Sequence, residues 1–574
     1  MRRSALPRGA PGRGRPAPRR RGRLAPAAVL VGGGLLGGGL LVGAAGPSAV
    51  RPGGALHGPV LAPVAPFFRT GDRCVGCHSG VTSPAGEDVS IGYDWRASMM
   101  ANSARDPYWQ AAVRREVMDH PGEQEAIEDE CSKCHMPMAR ATAASAGRPG
   151  RVFEHLAGEA AEPGETSLAM DGVSCSLCHQ ILADGLGQEA SFSGGFRLDE
   201  ETAPGERNVF GTFETDQGRL RVMHSATGFR PTEATHVQDS ELCATCHTLT
   251  THALVGAPGA RLPEQMPYLE WRASGFAGQR SCQSCHMPEV EAEVAVTSVL
   301  GQPRAGVSRH VFRGGNFFML RMLNRYRGEL GVTALPQELE AAASRTVEHL
   351  RSQTARVQVS ELGVAAGRLT AEVAVTNLAG HKFPTAYPSR RAWLHLTVRD
   401  GAGGVVFESG AFRADGSVAG NDMDEDATRF EPHHEVVERP DQVQVYESVM
   451  FDAAGRPTTG LLSAVRFGKD NRLLPDAFDR ALAGADAAVL GDAARDADFT
   501  GGSDRVRYQV DVAGRSGPFT VEAELWYQPI AWRWARNLAG YDAVETRRFV
   551  DWYGAMAASS AVVVASDTRS GNGG

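Results

Sequence analysis

From about residue 355 onward, apolar side chains alternate with polar ones. Val357 and Val359, Leu369 with Val373 and Val375, Ala392 with Leu394, Leu396 and Val398, Val405 with Phe407, Val443 with Val445, Tyr508 with Val510 and Val512, Val521 with Leu525, and Val562 with Val564 keep a period of two. That period puts successive side chains on opposite faces of a strand, so these turn-separated runs predict an antiparallel β-sandwich over residues 355–566. Its expected core includes Val373, Val375, Trp393 or its neighbours Leu394 and Leu396, and Leu525. Before it the period is helical. Phe317, Phe318, Leu320, Met322 and Leu323, then, after Pro336, Leu339, Ala342, Ala343, Val347 and Leu350, predict two connecting helices within 315–354. Residues 71–314 are poorer in pattern. One helix is expected from Asp106-Pro107 to His120, with Pro107 suited to a first turn. Another starts near Glu264 and covers Tyr268 to Trp271. The fold class is therefore α+β and multidomain: a mainly helical and irregular part, a helix pair, a β-sandwich, and a disordered tail at 567–574.

The sparse pattern of residues 71–314 coincides with all ten cysteines. They form five Cys-x-x-Cys-His runs: Cys74/Cys77/His78, Cys131/Cys134/His135, Cys175/Cys178/His179, Cys243/Cys246/His247 and Cys282/Cys285/His286. This spacing is the attachment signature of c-type haem. One helical turn sets both sulfurs and the imidazole on one side of the backbone. The thiols bond the macrocycle and the histidine becomes the proximal iron ligand. Zinc binding does not require a histidine after every second cysteine. A disulfide framework does not place every cysteine in an i, i+3 pair. Five covalent haem c groups would replace side-chain core, which explains why so little regular apolar pattern is left.

Twelve further histidines remain of seventeen. A second protein ligand makes an iron an electron carrier, and an open face lets it bind a small molecule. His120, His155, His224, His236 and His310, lying between or just after the motifs, are the expected second ligands, with His252 and Met100 as further candidates. Gly314 and Gly315 after His310 would allow backbone to approach a macrocycle. His349, His395, His433 and His434 read as surface or strand residues. Asp422, Asp424 and Asp426 alternate as in a calcium loop, but Ala427 and His433 stand where such a loop needs Gly and Glu, so a solvated acidic turn is expected.

Residues 1–23 hold nine arginines and no acid, and residues 24–45 contain only Leu, Ala, Val and Gly apart from Pro26. That order reads as an export signal, or as an anchor if it is not cleaved. Residues 46–70, rich in Pro, Gly and Ala, read as a linker. Haem c is attached outside the cytoplasm, so an extracytoplasmic location is expected on both counts. The net charge of −8 disfavours nucleic acid.

The five motifs, the Trp95-Arg-Ala-Ser98-Met-Met-Ala101 segment and the Cys-His-Met-Pro runs at Cys134 and Cys285 resemble multihaem c-type cytochromes of the cytochrome c-554/c-prime type, over roughly residues 71–320. The family often has a histidine ligand where this chain has Met100. Asn377-Leu-Ala-Gly-His381-Lys-Phe-Pro384 resembles the opening of a β-domain that often follows such haem domains, which makes His381 a candidate to reach back to an iron. The resemblance implies haems stacked as an electron relay in respiratory or nitrogen/sulfur redox pathways, served by redox partner proteins or quinol-linked donors. Two other readings share the motifs: an oxidoreductase with one open haem acting on a small nitrogen or sulfur compound, and a structural cytochrome that assembles into filaments or surface complexes. No Cys-x-x-Cys-Lys run exists, which argues against a nitrite reductase that uses lysine as ligand.

Overall fold

The computed structural model describes residues 67–156 and 163–571. The export or anchor segment and nearly all of the linker lie outside them. Helix α1 spans Pro107–Asp119. The Asp106 carboxylate caps it by accepting from the Tyr108 and Trp109 amides, and Pro107 occupies the first turn, where no backbone donor is needed. Helix α2, Gln124–His135, ends in the second Cys-x-x-Cys-His run. The other four runs also begin in short helical turns.

Strands β1 (Leu249–His252) and β2 (Arg261–Gln265) form a small antiparallel hairpin. The helix expected from Glu264 therefore begins later, at Pro267, and runs to Arg272. Glu264 is a strand residue because its segment pairs with β1. Trp95 and Trp271, which each open a Trp-Arg-Ala-Ser run in the sequence, each sit in a six-residue helix closed by an alanine of nearly identical backbone angles. Helices α3 (Phe317–Arg325) and α4 (Pro336–Gln353) follow, as their apolar spacing predicts.

The remainder is a sandwich. Strands β3 (Ala355–Ala365), β4 (Arg368–Asn377), β7 (Val436–Val437) and β9 (Ser503–Asp511) form one sheet in the order β3-β4-β9-β7. Strands β5 (Arg391–Arg399), β6 (Val405–Ser409), β8 (Val445–Tyr446), β10 (Phe519–Gln528) and β11 (Val562–Gly571) form the other, with β8-β5-β10-β11 in a row and β6 on β5. Pairing is antiparallel except between β7 and β9. The last strand continues to Gly571, through residues that the sequence alone assigns to a tail. The sheets meet where Asp567 of β11 accepts from the Val359 amide of β3. Val373, Val375, Trp393, Leu394, Leu396 and Leu525 are all fully buried.

One apolar core joins the sandwich to the helices. It runs from Tyr108 and Ala111 of α1 and Phe317, Phe318 and Met322 of α3, through both sheets, to Phe549 of helix α5 (Val544–Met556). Ion pairing and hydrogen bonding reinforce it: Arg114 pairs with Glu545, and Glu116 accepts from the amides of Leu461 and Leu462 at 2.7 and 3.2 Å. The described residues belong to one compact unit, so the change from helix to strand at 354/355 falls inside it.

Candidate haem-binding cavity

The fold leaves a cavity of about 1990 Å³ between α1, α2, α4, the sandwich and the irregular connections. An ordinary ligand pocket holds roughly 300–1,000 Å³. Nine of the ten cysteines and all five motif histidines line it. The tenth, Cys77, has its carbonyl held by Thr297 and Ser298 beside the first motif. All ten thiols are free.

The imidazoles are prepared as ligands. The Nδ1 edge of His78 faces the carbonyl of Val296 at 2.8 Å, that of His135 faces Ser103 at 3.1 Å, and those of His179 and His286 face Phe210 and Arg313 at 2.5 Å each. A proton donated from Nδ1 leaves the Nε2 lone pair for a metal. Burial lowers the proton affinity of all five motif imidazoles, to about 4 for His135 and His286, which favours the neutral, ligating form. Thiols from different motifs lie close enough to influence one another: Cys74 beside Cys175, Cys134 beside Cys246, and Cys243 beside Cys282. These residues fit covalent haem: paired sulfurs, a free Nε2 beside each pair, and a large enclosed volume.

Two further imidazoles approach in ways that suit a second ligand. Imidazoles on opposite sides of one metal, with metal–nitrogen bonds of about 2 Å, have ring centres roughly 6 Å apart. His310 stands 6.3 Å from His179, its plane 17° away. His381 stands 6.2 Å from His286, 13° away. Both direct Nδ1 at a backbone carbonyl, of Ser308 and Lys382 respectively. The His381 loop is fixed by a buried network in which two cations face two carboxylates: Lys382 and Arg472 against Asp470 and Glu270. Glu270 belongs to the Pro267–Arg272 helix and also accepts from the Lys382 amide, so the sandwich loop is tied to the motif-bearing part.

Of the other expected ligands, His252 and Met100 line the cavity. His120, His155, His224 and His236 are not among its lining residues. His120 is buried beside Glu116, and His155 lies 3.4 Å from Thr166 Oγ1. His224 and His236 direct Nε2 to the carbonyls of Gly205 and Ile181. Gly314 lines the cavity, while the backbone of Gly315 passes so close to the Tyr527 ring that a Cβ there would lie 2.5 Å from its hydroxyl. His349 was not legible as a site residue. On α4 it shares a stripe with Ala342, Thr346, Leu350 and Gln353, all on the cavity wall, and its ring centre is 6.4 Å from that of His286. The helical spacing of that stripe was the available signal.

A second buried cluster, His433 with Asp496 and Asp504, resembles a metal site in composition only. Gln444 and Asn471 direct their amide nitrogens at His433 Nδ1 from 2.8 and 3.0 Å. Their oxygens are held by the amides of His434 and Glu447, so neither side chain can turn round. Nδ1 is therefore an acceptor, and Nε2 carries the hydrogen and donates it to Asp496 at 3.0 Å. No lone pair is left for a cation. The acidic turn expected to be solvated is so only in part: Asp424 is buried against Arg391, and Asp422 pairs with Arg429.

No family model matches the sequence, and no curated protein matches it. Among solved structures, the crystal structure of a penta-heme cytochrome c552 from Thermochromatium tepidum aligns with 88% of this chain and 99% of that chain, at a TM-score of 0.49 and 16% identity.

Proposed function

We propose that this chain is a five-haem c-type cytochrome that relays electrons outside the cytoplasm. The observation that carries the reading is the convergence of all five motifs on one cavity, with thiols of different motifs close together. Haem c, once bound, supplies an iron that accepts and gives up a single electron. The chain's part is to attach, orient and shield. Ten cysteines form the thioethers, and His78, His135, His179, His247 and His286 are the proximal ligands. His310 and either His381 or His349 supply second ligands to the groups on His179 and His286. The pairs Cys74–Cys175, Cys243–Cys282 and Cys134–Cys246 make neighbours of motifs one and three, four and five, and two and four, an order that differs from that of the sequence.

The arginine-rich start and the apolar stretch after it support an exported protein, whose partners are redox proteins or quinol-linked donors. Among the described residues, no helix is long and apolar enough to cross a membrane. The test is reduction of the purified holoprotein with less than one electron equivalent of dithionite. A relay spreads the electrons over its haems according to their potentials within the mixing time. Haems that reduce independently, without exchange, contradict a relay.

A further inference from the structure

On the cavity wall beside Cys131 and Cys134 stands a carboxyl group, Glu264, for which no cation partner is found among the described residues. It lies on β2, 5% exposed. Its hydrogen bonds come from neutral groups: Thr251 Oγ1 donates to one oxygen, and Gln265 Nε2 to the other at 3.0 Å. The groups that act on it from neighbouring elements include two acids and a phenol: Glu116 of α1, Glu130 of α2, and Tyr387 from the loop before β5. Both cysteines of the second motif feel its charge, together with that of Glu130. Glu116 is placed differently, with two backbone amides on its oxygens and Arg115 beside it. Burial pushes the Glu264 carboxyl up to about 7, and the charges of Glu116 and Glu130 add to the rise.

We propose that Glu264 is a proton-binding site that couples electron entry at the Cys131–Cys134 haem to proton uptake. This rests on the haem reading above. An electron added close by, in a medium of low dielectric, makes the potential at Glu264 more negative and favours its protonated form. The coupling is reciprocal, so a proton on Glu264 makes that centre easier to reduce. The balance is one electron from the relay's donor and one proton from water: the iron is reduced by one unit, one O–H bond forms on the Glu264 carboxylate, and the net charge of the pair is unchanged.

The test is a potentiometric titration of the full holoprotein, followed by visible absorbance at pH values from about 5 to 9. One reduction step should become less favourable as pH rises from about 7, by up to tenfold in equilibrium constant per pH unit, the limit of one proton per electron. Glu264→Gln keeps the shape and one acceptor oxygen for Gln265, with the Thr251 hydroxyl turned to accept from the new amide, and should remove that dependence while the other steps keep their native behaviour. Thr251→Val removes a donor that favours the carboxylate, and should move the pH window upward. A native titration in which no step depends on pH, or a dependence that persists in Glu264→Gln, overturns the proposal. If Glu264→Gln does not fold, an unmoved window in Thr251→Val overturns it instead. A purified chain with no haem to titrate would overturn the haem reading itself, which keeps the two failures apart.

Discussion

His310 and His179 face each other across the cavity with ring centres 6.3 Å apart and planes 17° from parallel, although 131 positions separate them in the chain. Arg309, next to His310, fixes the approach by forking onto Asp94 at 2.8 and 3.0 Å. Replacing His310 with Ala should turn one of the haems from low to high spin, as read by visible absorption and electron paramagnetic resonance. An unchanged spectrum would remove His310 from the ligand set.

His286 has two imidazoles at nearly the same distance, His381 at 6.2 Å and His349 at 6.4 Å. One iron has room for one of them. The double variant His349→Ala with His381→Ala should show a high-spin haem. The single variant that reproduces that signal identifies the ligand. A double variant that stays fully low-spin would show that neither reaches an iron.

Asp504 gives the sandwich a pH dependence of defined sign. Burial, with the charges of Asp496 and Asp498 added, raises its carboxyl to about 7 against an ordinary 3.8. Between pH 4 and 7 the folded chain therefore holds a proton that the unfolded chain has released, so stability falls as pH rises through this window. The slope approaches roughly 1.4 kcal/mol per pH unit for one such group. Urea midpoints measured across the window should decline in the native protein, and more shallowly in Asp504→Asn. Equal slopes in the two proteins would contradict the assignment.

The shared core decides how the chain responds to truncation. Tyr108, Phe317 and Phe318 lose their sheet-side packing if residues after 354 are removed, and the cavity loses the wall that carries His381. Each large core side chain left exposed costs about 1.5–3 kcal/mol, so the loss of several is comparable to the usual stability of a domain, roughly 5–15 kcal/mol. The fragment ending at 354 should fail to retain a full set of haems when purified from cells that attach haem c. Full retention would make the sandwich a separate module.

The sequence was most informative where structure depends on neighbouring residues. The Cys-x-x-Cys-His runs need one helical turn, and all five are found in or beside one. The period-two strands and their buried residues Val373, Leu394 and Leu525 appear as expected, because alternation is a local property with one buried face. What could not be read depends on distant segments. Glu264 belongs to a strand because β1 is there to pair with its neighbours Pro263 and Gln265. His349 resembles any polar residue on an amphipathic helix until α4 is packed against the cavity. The continuity of the core across 354/355 is set by α1 and α5, which lie more than 400 positions apart. Sequence position also does not distinguish a cavity-lining histidine such as His310 from His224 and His236, which lie off the cavity wall.

Each of the five motifs is expected to carry a covalent haem. Intact mass spectrometry of the denatured protein, purified from cells that attach haem c, tests it most directly. The mass should exceed that of the processed polypeptide by five haems, with no thiol left to alkylate. A mass with fewer haems, and cysteines that remain free, disulfide-bonded or zinc-bound, would contradict it.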